Sequence, residues 1–255
     1  MSFFAARNQV NCSLADIDEV RDWMKNNMMP IIEPGTRMFE YAGKQMEKNA
    51  ELKAYILDFV HKADYNITDV YTEREKVPIP DFVKTSIMED KDIPEKTKEK
   101  MLADNAFERL RTDFQHTVKN KRGEENYRLP NSLQSEGTKR TFGIEAAIYE
   151  AIKTNGILPI DEIESSLHPE LVEFIIEKFL KEKSRSQLIV TSHYDPLLNT
   201  VDDLIRKDSV WFTEKEKDGH TTLYSLTDFK GLSKISSFQK SYRNGVFGAL
   251  PKIHD

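Results

Sequence analysis

Residues 157–171 read Ile-Leu-Pro-Ile-Asp-Glu-Ile-Glu-Ser-Ser-Leu-His-Pro-Glu-Leu. The apolar run Ile157–Ile160 predicts a short strand that delivers two carboxylates, Asp161 and Glu162, at its tip. Pro169 suits the first position of a helix. Beyond it, Leu171, Val172, Ile175, Ile176, Phe179 and Leu180 recur at helical spacing, predicting one apolar face. Downstream, Gln187-Leu-Ile-Val-Thr191 predicts a second buried strand, ending at Ser192-His193. Upstream, Thr138 to Thr154 has a helical apolar side through Phe142, Ala146, Ala147, Ile148, Ala151 and Ile152, and Asn155-Gly156 is a C-cap signal. The order helix, strand, helix, strand predicts a parallel α/β sheet. Ser209–Thr213 and Thr221–Leu226 flank Asp218-Gly219 and predict a hairpin added at its edge. Chemistry in such sheets gathers at the carboxyl ends of the strands. Both strand ends here carry residues capable of it.

The chain divides near residue 130, and residues 1–130 have a different rhythm. Ser13-Leu-Ala-Asp16 has the form of a capping box, followed by Ile17, Val20, Trp23 and Met24 at helical spacing. Met38 to His61 is again helical in pattern. Residues 62–95, with Pro78, Pro80 and Pro94 among many charges, predict a loop-rich or extended insertion. Residues 95–112 predict an exposed helix, Phe114–Val118 a strand, and Lys119–Asn126 a turn. The expected organisation is a mainly helical insertion over 1–130 and an α/β half over 131–255.

Composition sets the outer bounds. Of 255 residues, 38% are hydrophobic and 31% charged, enough apolar content for a core. The net charge of −6 argues against a strongly basic nucleic-acid module. One cysteine, Cys12, excludes a disulfide framework and a thiolate zinc site. No run approaches the ~20 apolar residues of a membrane helix. The opening MSFFAARNQVNC lacks the apolar centre of a signal peptide. A cytoplasmic protein is expected.

Three constellations could carry chemistry, and each has a plainer reading. Asp161-Glu162 could hold Mg²⁺ through water and deprotonate an attacking water, or simply cap a helix. Ser135-Glu136-Gly137-Thr138 opens a helix and could present backbone N–H groups to an anion, or be an ordinary N-cap by Ser135. His193, in Thr191-Ser-His-Tyr-Asp195, could contact a transferring phosphate, or be a satisfied loop histidine. His168 and His193 lack the i, i+4 spacing of a helical zinc motif.

In combination these stretches resemble the C-terminal half of an ABC/SMC-type ATPase. More closely they resemble bacterial AAA-type ATP-binding proteins of the OLD and abortive-infection, AbiLii-like group. The match is carried by LQSEGTKR (133–140), ILPIDEIESSLHPEL (157–171), SQLIVTSHYDPLL (186–198), RKDSVWFTEK (206–215) and YRNGVFGALP (242–251). The resemblance implies that Asp161 is the Walker B magnesium acid, Glu162 the catalytic base and His193 the switch histidine. It implies that Ser135, Gly137 and Thr138 form the signature that meets ATP held by a partner subunit. Glu164, Ser165, Ser166 and Leu167 would form the D-loop at a dimer interface. It gives no role for Arg206 and Asp208, and a packing or turn role suits Tyr242, Gly245 and Gly248.

Two features depart from the pattern. No G-x-x-x-x-G-K-[ST] phosphate loop occurs; Gly43-Lys44 is followed by Gln45 and lies in a helical pattern. The expected fold is therefore an incomplete P-loop sheet flanked by helices, with the chain starting downstream of the Walker A segment. Pro159 also interrupts the Walker B strand, where proline cannot donate a ladder bond. The function expected is ATP hydrolysis with Mg²⁺ in a dimer, or with a partner that supplies the missing half. The alternative is an inactive fragment or interaction module that complements an ATP-bound partner in trans. A nucleic-acid-linked role in phage defence is implied at family level only. Its one local support, Lys119-Asn-Lys-Arg122, is better explained as a solvated turn.

Overall fold

The computed structural model of the chain describes residues 15–63, 66–103, 105–121 and 123–251. Its architecture is mixed α/β. The chain falls into two compact units, Met1–Pro159 with Ser184–Ile189, and Ile160–Lys183 with Val190–Asp255. Ser13 and Arg122, which belong to the expected capping box and basic cluster, lie outside the described residues.

The first unit opens with α1 (Ala15–Asn27), α2 (Met38–Lys48) and α3 (Ala50–Lys62). The single helical pattern over 38–61 is two helices. Asn49 between them has extended backbone, and its side chain accepts the Leu52 N–H at 3.0 Å, capping α3. Next come β1 (Ile67–Pro78), α4 (Asp81–Glu89), α5 (Glu95–Leu102), β2 (Ala106–Asn120) and β3 (Gly123–Pro130). The three strands form an antiparallel sheet in the order β1-β2-β3, with register from Val70↔Phe114 to Pro78↔Ala106. Of the two readings of 62–95, loop-rich or extended, Ile67–Pro78 takes the extended one. The helix expected over 95–112 ends at Leu102 and gives way to a strand from Ala106, and the three-stranded sheet stands within a segment expected to be mainly helical. The outer ends of β1 and β2 are held by cross-strand charges rather than an apolar face. Arg109 lies 3.8 Å from Glu75, and Arg74 lies 3.5 Å from Glu108. Such pairs stabilise a ladder without leaving an apolar alternation in the sequence.

Helix α6 (Glu136–Thr154) is buried at every residue from Thr141 to Tyr149, so it is surrounded rather than surface-lying. Phe142 meets Phe114 edge-on at 4.8 Å, and Phe39 completes the cluster at 5.5 Å from Phe114. Gly143 permits this packing. A Cβ there would lie 2.3 Å from the Met38 Cβ, so α2 and α6 approach too closely for any side chain.

Strands β4 (Ile157–Ile160) and β5 (Gln187–Val190) form a two-stranded sheet. Gln187 donates to the Gly156 carbonyl and Thr191 to the Ile160 carbonyl, both at 3.0 Å. The bonds advance four residues in the same sense on each strand, so the pair is parallel. The predicted parallel sheet is thus present as two strands; the 67–130 and 211–225 sheets are antiparallel. On the other side of β4, Met29 and Ile32 donate to Ile157 and Pro159 at 2.9 and 3.0 Å. Pro159 therefore turns its backbone away from β5, and its missing N–H leaves the β4–β5 ladder intact. Strand β5, expected to be buried, is half exposed, with Ile189 at 54%. Among the described residues it pairs with β4 on one edge only.

In the second unit, α7 (Pro169–Lys181) buries Val172, Ile175, Ile176 and Phe179, whereas Leu180 faces solvent. The hairpin of β6 (Trp211–Lys215) and β7 (Thr221–Ser225) is a separate sheet, not an addition to the edge of the parallel pair. Its Phe212 packs with Val201, Leu226, Phe238 and Phe247. The short helix α8 (Phe238–Arg243) and the residues after it close over this core. Tyr224 donates to the Phe247 carbonyl at 2.8 Å, and Tyr242 to that of Ala249 at 3.0 Å. Gly248, at φ +66°, passes so near that a Cβ would sit 2.7 Å from the Tyr224 hydroxyl. The segment 242–251 is a packing and turn element.

Candidate active site

The carboxyl ends of β4 and β5 lie side by side within the second unit. Asp161 and Glu162 leave β4; Thr191 to Asp195 leave β5. One side chain ties them together. The Thr191 hydroxyl donates to Asp161 Oδ1 and accepts the Glu162 N–H at 2.9 Å. The backbone closes the join, with Ile163 N–H bonded to the Thr191 carbonyl at 3.1 Å.

After Glu162 the chain turns tightly over 162–167. Ser165 donates to the Glu162 carbonyl and Leu167 to that of Glu164, both at 2.9 Å. Glu162 and Ser166 have φ of +44° and +61°, a left-handed conformation that costs a non-glycine residue about 1 kcal/mol or more. The strain turns the Glu162 carboxylate toward the loop after β5, where Oε1 stands 3.8 Å from His193 Nε2. The two tips face each other across a gap wider than a hydrogen bond. The His193 N–H donates to Glu164 Oε1 at 2.6 Å. His168 does something different: its Nδ1 accepts the Glu170 N–H at 3.3 Å, capping α7.

The far end of the His193 loop is clamped. Arg243 makes a two-pronged contact with the Asp195 carboxylate, one prong at 3.0 Å, and Gln239 adds a bond at 3.3 Å. The Arg243 guanidinium holds the Asp195 carboxyl below the usual carboxylate range. Burial, with nearby carboxylates, raises the Tyr194 phenol above its ordinary value. Neither Arg243 nor Gln239 was singled out from sequence; Arg243 lies in a stretch that carries the resemblance and Gln239 does not. Arg206 and Asp208 pair with each other on the surface.

Ser135, Gly137 and Thr138 belong to the first unit. Ser135 is the N-cap of α6, accepting the Thr138 N–H at 3.0 Å, and the two hydroxyls are 2.8 Å apart. Its plainer role is thus the one seen. Gly43-Lys44 lies inside α2, which agrees with its rejection as a phosphate loop.

The donor set at the strand ends is hard oxygen. Among the described residues no cluster of three or more His, Cys, Asp or Glu forms a metal cage. Among the described residues no helix is long and apolar enough to cross a membrane.

No curated protein matches the chain. The family model described as "AAA domain, putative AbiEii toxin, Type IV TA system" matches residues 39–199, more than half of the chain. That span holds the acid pair, the turn after it and the histidine loop, and the chain belongs to this AAA family of P-loop ATPase-like, nucleotide-binding domains.

Proposed function

We propose that the chain is the Walker B, D-loop and switch-histidine part of an ABC/SMC-like ATPase of the OLD and AbiLii-like kind. In this reading residues 131–255 are the ATPase half and 1–130 an insertion. The single observation that carries it is the Thr191 hydroxyl joining Asp161 to the Glu162 backbone while His193 faces the Glu162 carboxylate. Two acids and an imidazole meet at adjacent strand ends, an arrangement able to hold a cation and orient a water for phosphoryl transfer.

Asp161 would hold Mg²⁺ through water, and the ion's chemistry is to neutralise charge on the phosphates. Glu162 orients a water and takes its proton as that water attacks. The Glu162 tip is 44% exposed, so water reaches it. His193 directs its imidazole at the same space. Ser135, Gly137 and Thr138 would meet ATP bound by a partner subunit. Glu164 to Leu167 would line the contact between subunits of a homodimer, or of this chain with a fuller partner. A cytoplasmic setting and a part in phage defence extend the same reading.

A phosphate cradle is the part these 255 residues do not contain. In the assembled enzyme, with the segment or polypeptide that supplies the cradle, Glu162→Gln should abolish ATP hydrolysis and preserve ATP binding. Wild-type turnover by that variant would defeat the assignment of the base. A second reading is a module that acts in trans on ATP held by its partner. Titrating the chain alone with Mg-ATP separates the two; tight binding contradicts a role in trans only.

A further inference from the structure

We infer that Glu164 is a positioning residue for His193, holding the imidazole against Glu162 through the backbone of the histidine loop. The inference rests on the ATPase reading above and goes beyond it, since it gives Glu164 a task inside its own chain.

Three observations support it. Glu164 Oε1 accepts the His193 N–H at 2.6 Å, a charge-assisted bond across 29 residues of sequence. The other oxygen, Oε2, is buried and has no hydrogen-bond partner among the described residues. Burying a carboxylate oxygen in this way is unfavourable, so the carboxylate is held inward by the bond that Oε1 makes rather than by hydration. The third observation is where the loop is otherwise fixed. Thr191 is bonded to Ile160 and Ile163 at one end, and Asp195 is gripped by Arg243 and Gln239 at the other. Between them the bonds within the loop are local: Tyr194 N–H to Ser192 Oγ at 3.0 Å, Asp195 N–H to the His193 carbonyl at 3.1 Å and Leu197 N–H to the Tyr194 carbonyl at 3.2 Å. The His193 side chain is 87% exposed and has no packing to fix it. The bond from Glu164 is therefore what sets the height of the histidine over the acid pair. Glu162 and Glu164 lie on one tight turn, so the base and the group that places its histidine move together.

The test uses three substitutions and two readouts. Glu164→Gln keeps an accepting oxygen and should leave the His193 amide as protected from exchange as in the wild type. Glu164→Ala removes the acceptor. Glu164→Asp keeps the charge but withdraws the acceptor by roughly 1.5 Å. The Ala and Asp variants should lose about tenfold or more in kcat with little change in KM for Mg-ATP. Combining Glu164→Ala with His193→Ala should cost no more than His193→Ala alone, because both act through one group. Independently of turnover, the His193 amide should exchange with solvent about tenfold faster in Glu164→Ala and Glu164→Asp, measured on the 255-residue chain. Unchanged His193 exchange in a folded Asp or Ala variant overturns the inference, as does additivity with His193→Ala. If instead Glu162→Gln keeps turning over while the exchange result holds, the ATPase reading fails and the structural link between Glu164 and His193 stands.

Discussion

Replacing Thr191 by valine removes one hydroxyl and almost no volume. That hydroxyl makes two bonds, donating to the Asp161 carboxylate and accepting the Glu162 N–H at 2.9 Å. A hydrogen bond to a charged group contributes about 1.5–3 kcal/mol, and a neutral one about 0.5–1.5 kcal/mol. Thr191 is exposed, so water replaces part of what is lost, and roughly half the sum is expected to appear. Thr191→Val should thus destabilise the second unit by about 1–2 kcal/mol in urea unfolding. The same change takes one partner from each acid. The Glu162 backbone sits at φ +44° without its anchoring bond, and Asp161 loses the donor that orients it. If the same 1–2 kcal/mol is missing from the transition state, kcat of the assembled ATPase falls about 5–30-fold. Thr191→Ser keeps the hydroxyl and should stay close to wild type in both assays. A Thr191→Val protein with an unchanged urea midpoint and unchanged turnover would refute the bridging role and, with it, the claim that the strand ends are organised for chemistry.

Two further outcomes follow from packing and charge. Gly143→Ala places a Cβ 2.3 Å from the Met38 Cβ, so α2 and α6 must separate, and the first unit should lose about 1–3 kcal/mol in denaturant unfolding. The Asp195–Arg243 pair should show in the pH dependence of stability. Because Arg243 lowers the Asp195 pKa on folding, the contribution is fully present above the unfolded value of about 3.9 and disappears as the pH falls through the lower folded value. Arg243 is 63% exposed, so solvent screens the pair and the effect is small. Denaturant midpoints between pH 2.5 and 5 for wild type and Arg243→Ala should converge in acid and separate above pH 4; parallel curves would contradict the pairing.

The α/β segment was legible because its apolar runs are short, end in distinctive polar residues and alternate with a helix whose N-terminal proline marks its start. Ile157–Ile160, Pro169–Lys181 and Gln187–Val190 all fall where the pattern places them. Of the antiparallel sheet only Phe114–Val118 was legible. Arg109, Glu75, Arg74 and Glu108 stabilise strands through pairings between residues over thirty positions apart, and local periodicity cannot register a cross-strand charge. Exposure of β5 was missed for a related reason: QLIV reads as buried, but burial depends on how many edges are paired. At the site, residue types revealed the acids and the histidine. The bonds that arrange them come from Thr191, Glu164 and Arg243, whose roles depend on backbone donors and turns that residue type alone does not disclose.

Those bonds also explain why one register of β4 against β5 is specified. The carbonyl of Ile160 accepts the Thr191 N–H at 3.0 Å, and this places the Thr191 hydroxyl at Asp161. A slip of one residue would bring Val190 to that position, with no hydroxyl to donate, or Ser192, whose side chain points to the other face of the strand. Either slip would also move Leu158 and Ile160, exposed 0% and 1%, off the buried face of β4. Apolar burial and the polar tie at the tip therefore select the same alignment. The chemistry needs no additional device to bring its residues together, because the pairing that buries Leu158 and Ile160 also sets Thr191 beside Asp161. The Thr191 bonds and the His193–Glu164 bond join residues 160–164 to 191–193, and Arg243 and Gln239 hold the loop beyond them at Asp195.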